Sequence, residues 1–194
     1  MYNSIITTAG IVGITIGCFS GGSLIKRGRR RTEIIAQSLA IIGSFIAMNG
    51  TVPFLILSRV LTGTAAGIVN ICFGKMITEN MPETVAARYA IMHNASICIG
   101  FFFLYPMGAI LPDSEDFEAN KNDEMWRAIY MFPGLIGVVV IFFVLFVFNL
   151  EPIAYCITTG RDEEGRKHML RVYKKRDPNT PESIEDILDL QYKW

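Results

Sequence analysis

The sequence predicts an all-α integral membrane protein: a helix bundle with about five transmembrane helices followed by surface helices. Three observations predict it. Hydrophobic residues make up 51% of the chain. Most charged residues gather in four stretches, 26–33, 75–88, 113–127 and 161–193. The apolar stretches between them have roughly the 20 residues that a helix needs to cross about 30 Å of hydrocarbon.

The densest cluster of positive charge, within the stretch from Gly22 to Arg31, predicts the orientation. Five of the six residues from Lys26 to Arg31 are Lys or Arg, between two apolar runs. Lysine and arginine concentrate in short loops on the cytoplasmic or equivalent face of a membrane. We therefore expect a turn here on the cytoplasmic side.

The first predicted span covers about residues 4–25 and carries a row of glycines. Gly13, Gly17 and Gly21 recur every four residues, which places them on one helix face. Small residues allow a second helix to approach closely, so this face is a candidate packing surface. The alternative is a flexible glycine-rich helix without a partner.

The second and third predicted spans cover about residues 34–48 and 54–77, with a turn at Asn49-Gly50-Thr51. The third span holds a further pair of small packing residues, Gly63 and Gly67. It also holds Arg59, and a charge inside a span usually faces a partner or a polar cavity. Alternatively, this side chain extends to the membrane surface.

The fourth predicted span covers about residues 89–111, after a loop from Thr78 to Arg88. It carries His93 and Asn94 near its start, and Pro106 predicts a kink. For His93, a packing role is favoured over a proton relay. The acidic residues 113–124 then form a loop on the face opposite the arginine cluster, and the fifth span covers about residues 129–150.

The chain changes character after Glu151-Pro152. Residues 161–176 read as a polar helix, and a second helix begins at Thr180-Pro181 with Ile184, Ile187 and Leu188 at helical spacing. We therefore divide the chain into a membrane bundle, residues 1–150, and an amphipathic surface segment on the cytoplasmic side, residues 151–194.

No motif in the sequence argues for catalysis, a cofactor or a metal. It lacks a phosphate-binding loop, a C-x-x-C pair and an H-E-x-x-H helix. Three of the four cysteines lie in apolar runs and read as packing residues. The formal net charge is zero, and nothing indicates nucleic-acid binding. We expect a protein that is not an enzyme.

Several motifs, in order, give the chain a resemblance to the sugar porters of the major facilitator superfamily. The resemblance covers nearly the whole chain, as the second to sixth spans of a twelve-span protein. The matching residues are Gly22, Arg27, Arg30 and Arg31 after the first predicted span; Arg59, Gly63, Gly67, Glu79 and Pro82 in and after the third; Arg88; Trp126 and Arg127; and Glu151, Pro152, Tyr155, Gly160 and Arg161. It implies a partial major-facilitator helix bundle.

The resemblance also implies functional residues. In the family, charged residues of the cytoplasmic loops form a network that holds one conformation of the transport cycle. The residues here that match it are Arg27, Arg30, Arg31, Glu79, Arg88 and Glu151. Lys26 and Arg29 depart from the family motif. Asn94 has the spacing of a sugar-binding glutamine of the family, and it is the one candidate substrate contact.

Two functions remain open. The chain resembles the N-terminal part of a sugar-type facilitator, so the ancestral role is transmembrane transport of a small sugar-like solute, which needs a second transporter half. The alternative is a structural or accessory subunit of a larger membrane complex. The expected partners are the lipid bilayer and other membrane subunits or that second half. The expected location is the plasma membrane or an organelle, with the mitochondrial inner membrane as one candidate.

Overall fold

The structure is a computed structural model that describes residues 2–80, 83–109 and 125–146, together with residues 155, 156, 159–161, 163 and 165. The chain divides into two units, residues 1–149 and 150–194. The first contains five described helices, listed here: α1 (Tyr2–Ile25), α2 (Arg29–Ala47), α3 (Val52–Asn80), α4 (Glu83–Ala109) and α5 (Met125–Phe146). The described residues contain no strand.

Four of these helices are long and apolar enough to cross a membrane. They are Ser4–Ile25 in α1, Val52–Glu79 in α3, Ala86–Met107 in α4 and Met125–Phe146 in α5. The fifth helix, α2, has 19 residues, and its first five include three arginines and Glu33. Its apolar part begins only at Ile34. The all-helical membrane bundle that the sequence predicts is confirmed.

The helices of the bundle pack in an order that differs from their order in the chain. Extensive contacts join α1 to α3, α3 to α2, and α2 to α5, whereas α4 contacts α3 and α5 sparsely. Many of the buried side chains are small, among them Ala36, Ala47 and Ala65, all at most 2% exposed. Phe19 and Phe102 are 82% and 72% exposed. Outward-facing apolar side chains are suited to lipid, which solvates them as well as a protein core does.

Two of the predicted loops are wrong in extent. The turn expected between the first two predicted spans, over about residues 26–33, is confined to residues 26–28, because α2 begins at Arg29. Gly28, with φ of 126°, adopts a conformation that a residue with a Cβ rarely takes. Because α2 begins directly after Gly28, Arg29, Arg30 and Arg31 are all helical.

The predicted loop from Thr78 to Arg88 is mostly helix. α3 continues to Asn80 and α4 begins at Glu83, while residues 81 and 82 lie outside the described part. A helix of 29 residues is about 43 Å long at 1.5 Å per residue, longer than the hydrocarbon is thick. Lys75 and Glu79 are therefore part of α3, and the charges that follow the apolar stretch do not indicate where this helix ends. His93 consequently lies about three turns into α4, and not in its first turns as expected.

Gly50, with φ of 69°, turns the chain between α2 and α3, as Asn49-Gly50-Thr51 predicts. α4 and α5 continue through Pro106 and Pro133. The acidic residues 113–124 and the predicted helix from Thr180 lie outside the described residues. In the second unit, the Arg161 amide donates to the Cys156 carbonyl oxygen at 2.9 Å.

Candidate functional site

Glycines bring the backbones of α1 and α3 into direct contact. A Cβ added to Gly13 would collide with the carbonyl oxygen of Val60, and one added to Gly17 would lie 3.0 Å from the Cα of Gly67. A Cβ added to Gly63 would lie 3.2 Å from the Cα of Gly13. We call the five glycines that line this contact the glycine seam: Gly13, Gly17, Gly21, Gly63 and Gly67. No larger residue fits at its centre without moving a helix.

An ion pair joins the start of α2 to the end of α3. The Arg29 Nε atom donates to Glu79 Oε2 at 2.9 Å, and a second guanidinium nitrogen donates to Oε1. The two side chains are 8% and 15% exposed. The Cys72 thiol of α3 donates to the Arg29 carbonyl oxygen at 3.7 Å. A two-point contact of this kind fixes the arginine in orientation as well as in position.

The next arginine reaches the other neighbour of α2. Arg30 Nε donates to the Val144 carbonyl oxygen at 3.3 Å, and a terminal nitrogen of Arg30 lies 3.5 Å from that of Leu145. Carbonyls in the last turn of a helix lack intrahelical donors and carry partial negative charge. Consecutive arginines therefore hold the first turn of α2 against both α3 and α5.

Two residues of the charge network that the family resemblance implies, Glu79 and Arg30, make the contacts described above, with Arg29 and with α5. Glu79 pairs with Arg29, which the motif comparison treated as a departure. Arg27, Arg31 and Arg88 are exposed, and Glu151 lies outside the described residues. The sequence offered one usable signal for the missed pair: Glu79 is the first acidic residue after the third predicted span.

A second acidic residue, Glu33, lies on α2 just before its apolar part. The Gln37 side-chain amide donates to Glu33 Oε1 at 2.8 Å, and the Glu33 side chain is partly buried. Burial raises the pKa of the Glu33 carboxyl, while the hydrogen bond from Gln37 lowers it. Burial has the larger effect. The sequence analysis did not single out this residue.

On the opposite side, side chains join α3 to α5. Arg59 donates to the Tyr130 hydroxyl at 3.2 Å and lies 4.7 Å from the centre of its ring. Trp126 meets Tyr130 edge to face at 6.0 Å, and a Cβ on Gly50 would lie 3.0 Å from the Trp126 ring. Arg59 thus has a partner on α5, which is the first of the two predicted alternatives.

Asn94, the candidate substrate contact, lies exposed on α4. A groove of about 530 Å³ between α2, α3, α4 and α5 is lined from α4 by Ser96 and Gly100, among others, but not by Asn94. His93 faces α3, with its Nε2 atom 3.4 Å from Asn70 Oδ1. Asn94 can donate and accept hydrogen bonds, so its chemistry suits a hydroxylated solute. The residues that the structure describes hold no cluster of acidic, histidine or cysteine side chains suited to a metal.

Comparison with known proteins identifies the family of the chain. A sequence model of the Major Facilitator Superfamily matches residues 1–176. Hexose transporter 1 of Toxoplasma gondii is 24% identical over 199 residues, covering 100% of this chain and 35% of that protein. Plastidic glucose transporter 4 of Arabidopsis thaliana is 29% identical over 85% of this chain and 29% of that protein. The galactose-proton symporter of Escherichia coli is 30% identical over 68% of this chain and 27% of that protein.

The fold agrees with the sequence match. The structure of the proton:xylose symporter XylE, bound to 6-bromo-6-deoxy-D-glucose, superposes with a TM-score of 0.76 at 16% identity, over 97% of this chain and 42% of that one. The chain spans between about a quarter and two fifths of the length of these proteins. The chain therefore belongs to the Major Facilitator Superfamily, as a sugar-porter-like member.

Proposed function

We propose that this chain forms part of a transmembrane pathway for a small, sugar-like solute. The observation that carries the proposal is the similarity to hexose, glucose and galactose transporters along most of the chain. Transporters of this kind bind their solute between two halves that rock about it. The solute site of this chain would therefore be completed by helices that lie outside these five.

Within that pathway, we propose that Asn94 binds the solute. We propose that the charged residues on the cytoplasmic side control the conformational change. An amide can bond to sugar hydroxyls as donor and as acceptor. The Arg29–Glu79 pair holds the ends of α2 and α3 together, and we include it in the network proposed for Arg27, Arg30, Arg31, Arg88 and Glu151. Breaking this network would favour the arrangement in which these helix ends separate.

The alternative is a structural or accessory subunit of a larger membrane complex, in the plasma membrane or an organelle such as the mitochondrion. One observation favours it: no residue of the span Ala86–Met107 in α4 is buried. A helix without cover within its own bundle is available to a neighbouring subunit. The same observation also fits a second transporter half.

The experiment that tests transport measures hexose uptake into liposomes that contain the full chain, alone and together with membrane proteins that cross-link to α4 in its native membrane. Labelled D-glucose, D-galactose and D-xylose are the probes. Saturable uptake that falls at least tenfold in Asn94→Ala, and is retained in Cys98→Ser one turn further along α4, is the expected result. Cys98 is exposed on the same helix, so it controls for disturbance of α4.

Two results separate the proposals. Uptake that is absent from every combination, with the chain recovered in a stable complex, contradicts transport and supports the accessory role. A chain that purifies from its native membrane as a stable monomer contradicts the accessory role.

A further inference from the structure

Glu33 lies on α2 between Arg30 and Gln37, and both of these residues contact α5. We call this contact the α2–α5 seam. The Gln37 side chain contacts both Glu33 on its own helix and Gly137 on α5. Its nitrogen donates to Glu33 Oε1 at 2.8 Å, and its Oε1 atom would lie 3.3 Å from a Cβ placed on Gly137 of α5. The carboxyl group is therefore held by a neutral amide at a close helix contact.

Among the described residues of α3 and α5, the charged groups near the α2–α5 seam are paired, exposed or far from Glu33. On α5, Arg127 is the one charged residue of the described helix, and it lies at the opposite end. On α3, Glu79 is paired with Arg29, Lys75 is exposed and Arg59 lies near the far end. Among the described residues, the Arg29–Glu79 contact is the only ion pair.

The arginines of α2 complete the surroundings. Arg30 lies one turn before Glu33 and donates to the carbonyl oxygens of Val144 and Leu145 on α5. Arg31 is exposed. Partial burial of an ionised carboxylate beside a neutral amide is costly, whereas a neutral carboxyl group still has an acceptor oxygen for Gln37.

From this arrangement we propose that Glu33 is a proton-binding site, and that the packing of α2 on α5 seen here is the form in which the proton is bound. Loss of the proton places a negative charge one turn from Arg30, on the same helix face. Arg30 then has two competing acceptors, the carbonyls of α5 and the Glu33 carboxylate. Attraction to Glu33 draws it from α5 and loosens the seam. The proposal does not depend on transport.

The direction of the pH dependence follows from burial. Because the Glu33 pKa is raised in the folded protein, its contribution to seam stability is complete below the pKa of an exposed glutamate, about 4.3. It is lost as the pH rises through the folded value. The seam is expected to be tightest in acid.

Infrared difference spectroscopy of the full chain in lipid nanodiscs tests proton binding. Spectra are compared between about pH 4 and pH 8, a range that brackets exposed and buried carboxyl groups. We expect a protonated-carboxyl band that titrates above the exposed-glutamate range and disappears in Glu33→Gln. The band should persist in the control Glu163→Gln, which removes an exposed glutamate of the second unit. Glu33→Asp, a second variant that keeps the acid, should retain a band at a shifted position. Spectra of Glu33→Gln identical to those of the unmodified chain would overturn the assignment.

Double electron-electron resonance tests the α2–α5 seam itself. Spin labels are placed at the exposed positions Ile35 on α2 and Phe143 on α5, with the native cysteines replaced. We expect the distance distribution to widen as the pH rises in the chain that keeps Glu33, and to remain narrow in Glu33→Gln. A distribution that does not change with pH in either chain contradicts control of the seam by Glu33.

Discussion

Two neighbours of α3, the helices α1 and α4, show how differently membrane helices of one chain can pack. α1 meets α3 along the glycine seam, with backbone against backbone. α4 follows α3 directly in the chain, yet its contacts with it are sparse and its membrane span has no buried residue. Chain proximity therefore does not decide packing here.

The difference follows from side-chain size and from the solvent. Lipid solvates apolar side chains as well as a neighbouring helix does, so helices associate where close backbone contact is available. α4 carries Phe101, Phe102 and Phe103 in succession, all at least 60% exposed. α1 and α3 instead offer glycine at matching intervals.

The largest expected effect concerns the ion pair on the tightly packed side. Replacing Glu79 with Gln leaves Arg29 buried without its counter-charge, and breaking a buried pair costs about 3–5 kcal/mol. Unfolding in mixed micelles by a denaturing detergent would measure the loss. Arg31→Gln removes an exposed arginine two residues away and should cost at most about 1 kcal/mol. Equal losses in the two variants would show that the Arg29–Glu79 pair does not stabilise the bundle.

The second effect concerns the glycine seam. Gly17→Ala forces a methyl group into the backbone of Thr64 and should destabilise the bundle by about 1–3 kcal/mol. Gly22, on the same helix, has no atom within 4 Å of an added Cβ. Gly22→Ala should therefore stabilise the protein by about 0.5–1 kcal/mol, because alanine favours the helix. Thermal unfolding of the two variants in detergent checks the opposite signs, and a stabilising Gly17→Ala would contradict close packing.

The third effect tests a contact between α3 and α5 made by side chains alone. Tyr130→Phe removes the hydroxyl that accepts from Arg59 and keeps the ring beneath its guanidinium group. The expected loss is about 0.5–1.5 kcal/mol, the value of one hydrogen bond. Detergent unfolding of Tyr130→Phe, compared with Tyr105→Phe on the exposed part of α4, provides the measurement. Equal stabilities of the two variants would show that the hydrogen bond between Arg59 and Tyr130 does not stabilise the bundle.

The smallest effect concerns the loosely packed side. Phe102→Ala on α4 removes a ring that is 72% exposed, and a substitution at such a position should change the stability of this chain by no more than about 0.5 kcal/mol. Ile68→Ala on α3, where the side chain is 1% exposed, should cost about 2–5 kcal/mol. Comparable losses at both positions would mean that α4 is as firmly packed as α1.

The sequence predicts the elements of this fold better than their partners. Charge clusters and apolar length indicate the helices, and the spacing of Gly13 and Gly17 points to a packing face. The contact of Arg29 with Glu79 crosses 50 positions, and no local pattern encodes it. The family motif directed attention to Arg30 and Arg31 because they match it. The loose packing of α4 depends on which helices surround it, and the sequence of α4 alone does not predict its neighbours.

The most direct test of this account is magic-angle-spinning NMR of the chain in lipid bilayers with ¹³C only at the glycine Cα positions. We predict through-space cross peaks between Gly17 and Gly67 and between Gly13 and Gly63, assigned by their loss in Gly67→Ala and Gly63→Ala. Gly100 of α4, which has no atom within 4 Å of an added Cβ, should show no cross peak to any of the four. Missing peaks across the glycine seam, or peaks from Gly100 to it, would contradict the packing difference described here.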